Sequence, residues 1–338
     1  MRRVDNPKHR FESSEIAWDD GEAPLASLHV HEERTRTILS ENKSPDVSFR
    51  FSINAYRGCQ HGCAYCYARP SHQYWGFGAG TDFEREIIVK VNAPELLREA
   101  FERNSWHGDT IAFSGNTDCY QPLEGRYRLT RALLALCAEY KNPVGIITKS
   151  TLIARDLDVL LALQERARLT VFMSIAFADE AVARALDPGA PAIHRRFDTL
   201  QRLSEAGIET GIALAPIIPG LNDRDIPDLL SRARRAGARR AFHTLLRLPA
   251  EVKSVFLSRL REQLPGHADK IEHALLDVRE GQLYDSRFGR RMRGQGPRWD
   301  AIGELFALQV RRLGLNPEPD GEEPPSTFER PRAQLELF

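Results

Sequence analysis

Short apolar runs alternate with helix-length amphipathic segments through the middle of the chain, and this alternation limits the possible folds more than any other feature. The runs that predict strands are 51–57, 110–115, 144–149, 169–175, 209–217 and 241–246. The segments that predict helices lie near 94–104, 127–140, 152–167, 179–186, 194–206 and 225–236. Strands and helices at this spacing predict βα units and a parallel sheet. Six successive units predict an α/β fold with a partial (β/α)6 TIM-like barrel, and a doubly wound sheet is the alternative.

The two ends of the chain differ from this central part. Residues 1–50 carry charges of both signs with little periodicity, so we expect an N-terminal extension that wraps the surface or is partly disordered. The partial barrel is assigned to residues 51–250. A C-terminal helical segment with a loop at 285–298 is assigned to residues 251–315. Residues 316–338 begin with prolines among acidic residues, a composition that predicts a disordered tail.

Charge and hydropathy exclude some classes of protein. The chain of 338 residues is 42% apolar, enough for one large domain or two ordinary ones. Lys plus Arg and Asp plus Glu both number 47, so the net charge favours no particular partner. No run of about 18 apolar residues occurs, and the first residues lack the apolar core of a signal peptide. We therefore expect a soluble, cytoplasmic protein with no membrane partner.

A cluster of cysteines gives the most specific chemical signal. The segment "GCQHGCAYCYA" places Cys59, Cys63 and Cys66 at C-x3-C-x2-C spacing directly after the first predicted strand, where barrel active sites form. The five cysteines of the chain are too few and too clustered for a secreted disulfide framework. Three thiolates on one loop can bind three irons of a [4Fe–4S] cluster and leave the fourth iron open. Zinc is the alternative, but His61 lies too close to the neighbouring cysteines to complete a tetrahedral site.

Several segments together resemble one family. They are "YRGCQHGCAYCYARPSHQY", "SGNTDCYQPLEGRYRLTR", "ITKSTLIARDLDVL", "LAPIIPGLND" and "SRFGRRMRGQG". The cysteine loop resembles the signature of the radical S-adenosylmethionine (SAM) superfamily, and the set looks like its spore photoproduct lyase-like branch, also called the DNA repair photolyase group. The likeness runs from about residue 5 to about residue 315.

This resemblance implies chemistry that the cysteines alone do not specify. The implied cofactors are a [4Fe–4S] cluster and SAM, and the implied reaction is reductive cleavage of SAM to a 5′-deoxyadenosyl radical that abstracts hydrogen from a substrate. The branch implies a role in DNA repair or nucleic-acid modification, with DNA as a partner. The chemistry also needs a one-electron donor of the flavodoxin or ferredoxin type.

Candidate cofactor contacts lie at the ends of predicted strands. In the superfamily the residue before the last cysteine contacts the adenine and the loop after the second strand meets the SAM amino group; the corresponding positions here are Tyr65, and then Gly115 and Asn116. Lys149 and Ser174 are polar groups that interrupt apolar runs at the ends of the third and fourth predicted strands, where barrels bind ligands. Arg195 opens the helix after the fourth strand, a position suited to a SAM carboxylate or ribose. The alternative for each is a strand-end or capping residue with no ligand.

The resemblance also raises the question of a hydrogen-atom donor. Photoproduct lyases return a hydrogen atom from a cysteine near the end of the second strand, helped by tyrosines beside the cluster. The catalytic candidates here are Cys119, Tyr67 and Tyr120. Aligned on Asp118, the donor position of the family falls nearer to Gly115 than to Cys119, so the chain departs from the family pattern. The alternative for Cys119 is a small buried hydrophobic residue.

Two arginine-rich stretches contain no acidic residue. Residues 229–250 predict a solvated helix face. Residues 286–299 combine arginines with glycines beside an aromatic residue, which is typical of a flexible loop that contacts a nucleic-acid backbone. Covering SAM is the alternative role of this loop. The predicted nucleic-acid contacts are Arg287, Arg290, Arg291 and Arg293.

The sequence "QLELF" at 334–338 resembles the short peptide with which bacterial DNA repair and replication proteins bind the sliding clamp. Its candidate partner contacts are Gln334, Leu335, Leu337 and Phe338. An extended peptide that orders only on binding suits this role. The alternative is docking on the protein's own barrel.

Two other functions stay open at this point. One is a radical SAM enzyme that acts on a peptide or a small molecule. The other is a noncatalytic iron–sulfur or zinc module that binds DNA.

Overall fold

The computed structural model describes residues 27–317 and 326–331. The strands in these ranges are β1 His29–Glu33, β2 Leu39–Glu41, β3 Phe51–Ile53, β4 Tyr56–Arg57, β5 Glu86–Lys90, β6 Ile111–Phe113, β7 Val144–Thr148, β8 Leu169–Ser174, β9 Glu209–Ile217 and β10 Arg240–Leu245. The α-helices are α1 Asp82–Arg85, α2 Ala93–Glu102, α3 Glu124–Tyr127, α4 Leu129–Glu139, α5 Leu157–Gln164, α6 Glu180–Leu186, α7 Ile193–Glu205, α8 Ile226–Arg235, α9 Glu251–Gln263, α10 Pro265–Asp277 and α11 Pro297–Arg312. Short 3₁₀ helices span Arg69–Trp75, Thr151–Asp156 and Asp223–Asp225.

The main sheet has seven strands in the order β10-β9-β8-β7-β6-β3-β2. Neighbouring strands from β3 to β10 pair in parallel, and β2 adds to β3 in antiparallel orientation. This is the predicted series of six βα units, so the predicted partial (β/α)6 fold is confirmed. Among the described strands, β2 and β10 do not pair with each other. We call the edge at the carboxyl ends of the parallel strands the mouth and the opposite edge the base.

The strands form because their side chains are apolar on both faces. Val144, Val171 and Ile212 in adjacent strands are almost completely buried, as expected where helices cover a parallel sheet. The helices are amphipathic: in α7 the apolar residues Ile193 and Leu200 face the core at helical spacing. Each buried side chain of this size contributes about 1.5–3 kcal/mol relative to exposure.

A second, smaller sheet is built in part from residues for which no strand was predicted. In this sheet β1 pairs in parallel with β5, and β4 pairs with β5 in antiparallel orientation. β1 reads "HVHEE" and lacks an apolar alternation, so its sequence does not predict a strand. Long-range contacts hold it instead: His29 and His31 each approach a carboxylate oxygen of Glu86 at 2.8 Å. Part of the N-terminal extension is therefore ordered sheet.

The tail also departs in part from its prediction. Residues 326–331 pack against the base of the barrel, between the ends of α2 and α4. The Phe328 ring packs against Phe101 and gives this segment an apolar contact that the polar composition of the tail does not predict. The predicted partner residues Gln334, Leu335, Leu337 and Phe338 lie outside the described residues. No helix in the described ranges is long and apolar enough to cross a bilayer.

Candidate active site

The cysteine loop, residues 58–68, leaves β4 at the mouth and enters the 3₁₀ helix Arg69–Trp75. Cys59 and Cys63 are buried, and Cys66 is partly buried. Gly58 has a φ of +75°, and a Cβ there would lie 2.9 Å from the Phe83 carbonyl oxygen, so no other residue fits. The Cys59 N–H donates to the same carbonyl at 2.8 Å. The loop is therefore held against the chain that precedes β5.

A buried arginine holds the other side of the loop. Arg69 is completely buried and donates to the Cys63 carbonyl from Nε at 3.0 Å and from Nη2 at 2.9 Å. Its Nη2 also forms an ion pair with Glu84 at 2.6 Å. Further carbonyl oxygens that accept from this guanidinium belong to Gly62, Ala79 and Gly80. One side chain thus fixes the backbone at the second cysteine of the loop. The sequence analysis missed Arg69, because "CYAR" gives no local sign that an arginine is buried.

The segment after α6 closes over the loop from a third direction. The Ala64 N–H donates to the Leu186 carbonyl at 2.8 Å, and the Gly189 N–H donates to the His61 carbonyl at 2.9 Å. A Cβ at Gly189 would overlap the Gln60 carbonyl oxygen. Glycine at this position is what allows the two backbones to come so close.

The three thiols fit an iron–sulfur cluster better than a single metal ion. Within residues 27–317 and 326–331, no group of three or more His, Cys, Asp or Glu side chains is arranged to hold one metal ion. Converging ligands of that kind are what zinc requires, whereas a cluster separates its thiolates. Burial raises the pKa of the Cys66 thiol to about 11 and that of Cys63 well above its usual value. These thiols are therefore protonated at neutral pH unless a metal displaces the proton.

Five buried side chains form a polar cluster beside the cysteine loop, which we call the buried polar group: Tyr65, Lys149, Ser174, Asp187 and Arg196. Lys149 at the end of β7 donates to the Ser174 hydroxyl at the end of β8 at 2.9 Å. Its ammonium lies 5.5 Å from the centre of the Tyr65 ring. Asp187 approaches Lys149 at 3.9 Å and Arg196 at 3.5 Å. Burial alone would raise the pKa of Asp187, but Lys149 and Arg196 lower it below its usual value, so the carboxylate is ionised.

Several polar atoms of this group are left for a ligand. The Asp187 carboxylate oxygens and the Tyr65 hydroxyl are buried and form no close hydrogen bond among the described residues, although Lys149, Arg196 and the Tyr65 hydroxyl all face the carboxylate. Buried polar atoms in folded proteins are nearly always hydrogen-bonded. Unpaired atoms beside three thiols therefore fit the polar groups of a bound cofactor such as SAM.

Asp118 connects the cysteine loop with the ends of two strands. Its carboxylate accepts from Thr148 Oγ1 at 2.6 Å and from the Lys149 N–H at 2.8 Å, and it lies 3.3 Å from His61 Nδ1. Burial would raise the pKa of Asp118, but His61 and these hydrogen bonds lower it to about 2. The site is thus tied together by an ionised, buried carboxylate.

The structure brings most of the predicted cofactor contacts together. Tyr65, Lys149 and Ser174 belong to the buried polar group, as described above. The loop after β6 meets the cysteine loop directly, because the Tyr67 hydroxyl donates to the Gly115 carbonyl at 2.6 Å. Asn116 is held there by its N–H, which donates to Asn54 Oδ1 at 2.8 Å.

Arg195 is placed differently from the prediction. It is exposed, whereas its neighbour Arg196 is buried against Asp187 and donates to the Ser174 carbonyl at 3.2 Å. Adjacent helical residues point about 100° apart, and the buried face of α7 passes through position 196. Arg196, not Arg195, is therefore the arginine that lies in the site. Arg196 was missed because the sequence does not reveal which face of α7 is buried, and Asp187 was missed because nothing local marks the residue after α6 as a buried acid.

Cys119 and Tyr120 do not reach the surface at the mouth. Cys119 is 3% exposed and Tyr120 is fully buried. Burial raises the pKa of both side chains well above their usual values. Tyr67, by contrast, is 45% exposed beside the cysteine loop.

The arginine-rich stretch 286–299, which we call the arginine loop, lies at the mouth. Most of its arginines already form ion pairs within the chain. The Leu245 N–H donates to the Met292 carbonyl at 3.1 Å, which fixes the loop at the end of β10. Three of the four predicted nucleic-acid contacts pair with acids outside residues 286–299: Arg287 with the adjacent Asp285, Arg290 with Glu280 and Arg291 with the distant Asp46. The absence of acids within this stretch therefore does not leave these arginines unpaired. Arg293 forms no ion pair with any residue of the described ranges.

Two arginine–aromatic stacks lie at this part of the mouth. The Arg247 guanidinium lies 5.0 Å from the centre of the Tyr67 ring, and the Arg291 guanidinium lies 4.6 Å from that of Phe288. Phe288 is 60% exposed. We call these four residues the arginine–aromatic ledge. The Gly289 N–H, then Arg291 and Arg247, lower the pKa of the Asp46 carboxyl, which places both arginines within electrostatic reach of Asp46.

A parallel partial barrel with three thiols on the loop after its first strand defines the architecture of radical SAM proteins. The sequence profile of the radical SAM superfamily matches residues 53–233, more than half of the chain. The chain belongs to the radical SAM superfamily, a superfamily of enzymes. Its cofactors are a [4Fe–4S] cluster and SAM, as predicted from the cysteine loop.

Relatives and solved structures agree with this assignment. An uncharacterized protein of Mycobacterium tuberculosis is 36% identical over 216 residues, which cover 62% of this chain and 63% of the relative. The chain thus spans less than two thirds of that relative. A radical SAM Nalpha-GlyT isomerase of Pseudomonas phage M6 is 25% identical over 181 residues, which cover 53% of this chain and 35% of the isomerase. A spore photoproduct lyase in complex with dinucleoside spore photoproduct has a similar fold, with a TM-score of 0.59, 16% identity and coverage of 85% of this chain and 80% of the lyase.

Proposed function

We propose that the protein is a radical SAM enzyme that acts on nucleic acid, in DNA repair or in nucleic-acid modification. The observation that carries the proposal is the contact between three elements at the mouth: the cysteine loop, the buried polar group with unpaired atoms, and the arginine–aromatic ledge. Tyr67 belongs to both the loop and the ledge, so a substrate on the ledge lies next to the cofactor site.

In this proposal Cys59, Cys63 and Cys66 bind the cluster. When bound, the cluster and SAM supply a 5′-deoxyadenosyl radical. The ionised Asp187 carboxylate would attract a positively charged group of SAM in addition to Lys149 and Arg196, which already approach it. Tyr65 would pack against the adenine. Other groups assigned to SAM are Gly115, Asn116, Lys149, Ser174 and Arg196.

The ledge supports a substrate that has both planar rings and negative charge. Exposed aromatic rings stack on unpaired bases, and arginines beside them contact phosphates. The solved lyase of similar fold holds a dinucleoside, which supports a substrate that contains nucleobases. A base stacked on Tyr67 would lie directly over the loop that carries Cys66.

We expect the protein to bind a single-stranded oligonucleotide with an affinity that falls as salt rises. Arg247→Ala is expected to weaken binding and to reduce the slope of log K against log salt by about 1, because one phosphate contact is lost. The measurement is fluorescence anisotropy across a salt series. Arg98→Ala is the control, since Arg98 pairs with Glu139 between α2 and α4 and lies outside the ledge.

One observation favours a peptide or a small molecule as the substrate. Three of the four predicted phosphate contacts already form ion pairs within the chain. Binding of the oligonucleotide with an affinity that does not change with salt would support a peptide or a small molecule and would exclude nucleic acid as the substrate. Deuterium transfer between the substrate and 5′-deoxyadenosine during turnover would then identify the molecule that reacts.

We further propose that residues 334–338 bind a bacterial sliding clamp. Glutamine and three apolar anchors on an extended segment suit a groove-binding peptide. The full chain is expected to be recovered on immobilised clamp, and Leu337→Ala/Phe338→Ala is expected to abolish recovery. Equal recovery of both chains would contradict the proposal. A flavodoxin or ferredoxin would supply the electron.

A further inference from the structure

Residues 326–331 lie in a groove at the base of the barrel, on the edge opposite the cysteine loop. Ser326 Oγ donates to the Gly108 carbonyl at 2.6 Å, and Thr327 Oγ1 donates to the Lys141 carbonyl at 2.7 Å. The Glu329 N–H donates to the Tyr140 carbonyl at 3.0 Å. The receiving carbonyls belong to the loops that lead into β6 and β7. Two hydroxyls and one amide of the segment therefore donate to backbone carbonyls of the groove.

An aromatic ring fills the centre of this groove. The Phe328 ring lies 5.6 Å from that of Phe101 in α2 and 6.2 Å from that of Tyr140 after α4, with the second pair stacked at 15°. Phe328 thus packs between the carboxyl ends of α2 and α4. Aromatic pairs at such distances contribute about 0.5–1.5 kcal/mol beyond the burial of area.

The next arginine completes the end of a helix. Arg330 Nε donates to the Phe101 carbonyl at 2.9 Å, and Nη2 donates to the Arg103 carbonyl at 2.6 Å and the Trp106 carbonyl at 3.2 Å. The last carbonyls of an α-helix have no partner within the helix and carry partial negative charge. A guanidinium from the tail therefore caps α2.

A glycine keeps the groove open for this segment. Gly108 has a φ of +82°, and a Cβ there would overlap both Phe328 Cβ and Ser326 Oγ. The groove thus has room for the segment only while position 108 lacks a side chain. The Glu329 side chain forms an ion pair with Lys141 at the surface, where such a pair contributes at most about 1 kcal/mol.

We propose that this groove is a peptide-binding site that recognises S-T-F-x-R, and that its ligand is the chain's own 326–331 segment. Bound in this way, the segment anchors the tail to the base of the barrel. The specificity comes from two hydroxyl contacts, one aromatic insertion and one helix cap. This inference does not depend on the substrate or on the clamp.

In the experiment, the segment is added to the protein as a separate peptide. In the full chain, Phe328→Ala weakens the internal ligand and frees the groove. A labelled peptide with the sequence of residues 326–331 is expected to bind this variant saturably and at least about tenfold more tightly than the wild-type chain, because an internal ligand on a short linker competes at millimolar effective concentration. The measurement is fluorescence anisotropy.

Two matched controls decide the result. A peptide with alanine in place of Phe328, and the chain Phe328→Ala/Gly108→Ala, are each expected to give no binding. Binding that is equal with either control, or absent from the Phe328→Ala chain, would overturn the proposal. If the double variant does not fold, the altered peptide still decides the question.

Hydrogen exchange of the wild-type chain gives a second readout. The Glu329 amide is expected to exchange at least about tenfold more slowly than in Phe328→Ala, because the hydrogen bond to Tyr140 must open first. A wild-type dimer that dissociates on Phe328→Ala substitution would show that the segment crosses to a second copy, and would overturn binding within one chain.

Discussion

Cys63→Ala is expected to reduce 5′-deoxyadenosine formation to background after anaerobic reconstitution with iron, sulfide, SAM and a one-electron reductant. Cys63 is buried at the centre of the cysteine loop, and the Arg69 guanidinium positions its carbonyl. Without this thiolate only two protein ligands remain on the loop, too few to leave a single open iron. Absorption and electron paramagnetic resonance spectra report the cluster, and chromatography reports the nucleoside.

Cys137→Ala is the matched control. Cys137 is also completely buried, but it lies in α4 among apolar side chains. Its replacement is expected to leave the cluster spectrum and the nucleoside yield unchanged. If Cys63→Ala formed 5′-deoxyadenosine at the wild-type rate, the assignment of the cysteine loop as the cluster ligand would be contradicted.

Arg69→Met is expected to destabilise the fold by about 3–5 kcal/mol, because it leaves the Glu84 carboxylate buried without its principal partner. Arg259 lies 3.7 Å from Glu84 and only partly compensates. The carbonyls that Arg69 joins would also lose their donor, so the cluster content after reconstitution is expected to fall. Denaturant unfolding measures the first effect and iron analysis the second.

Two variants show whether the effect comes from the buried pair. Arg34→Ala, which breaks the exposed pair with Glu95, is expected to cost at most about 1 kcal/mol. Arg69→Met/Glu84→Leu is expected to recover part of the stability, since the Glu84 carboxylate is then no longer buried without Arg69, and only the weaker contact of Arg259 with Glu84 is lost. A stability loss for Arg69→Met no larger than that for Arg34→Ala would show that the guanidinium does not organise the loop.

The sequence predicts the features that rest on local patterns. The alternation of apolar runs and amphipathic segments locates six parallel strands, since burial on both faces of a sheet leaves continuous apolar runs. The spacing of Cys59, Cys63 and Cys66 predicts a cluster loop for a similar reason: the proposed ligands lie on one short stretch of chain.

Other features depend on contacts between distant parts of the chain. Arg69 and Arg196 resemble any other arginine in the sequence, and only tertiary structure brings them to buried acids. β1 is charged and needs β5 as its partner. The ion pairs of the arginine loop use acids such as Asp46, more than 200 residues away. No local pattern records these partners.

The anchor at the base shortens the tether on which residues 334–338 are carried. A chain held only up to Pro317 lets Gln334 range up to about 60 Å away, whereas a chain held up to Pro331 limits it to about 10 Å, at about 3.3–3.6 Å per residue. The volume within which chain length allows Gln334 to lie is smaller by roughly the cube of that ratio, about 200-fold. A protein that grips this peptide would be held close beneath the base, with the mouth directed away from it. The anchor would therefore set the orientation of the enzyme on its partner as well as its distance.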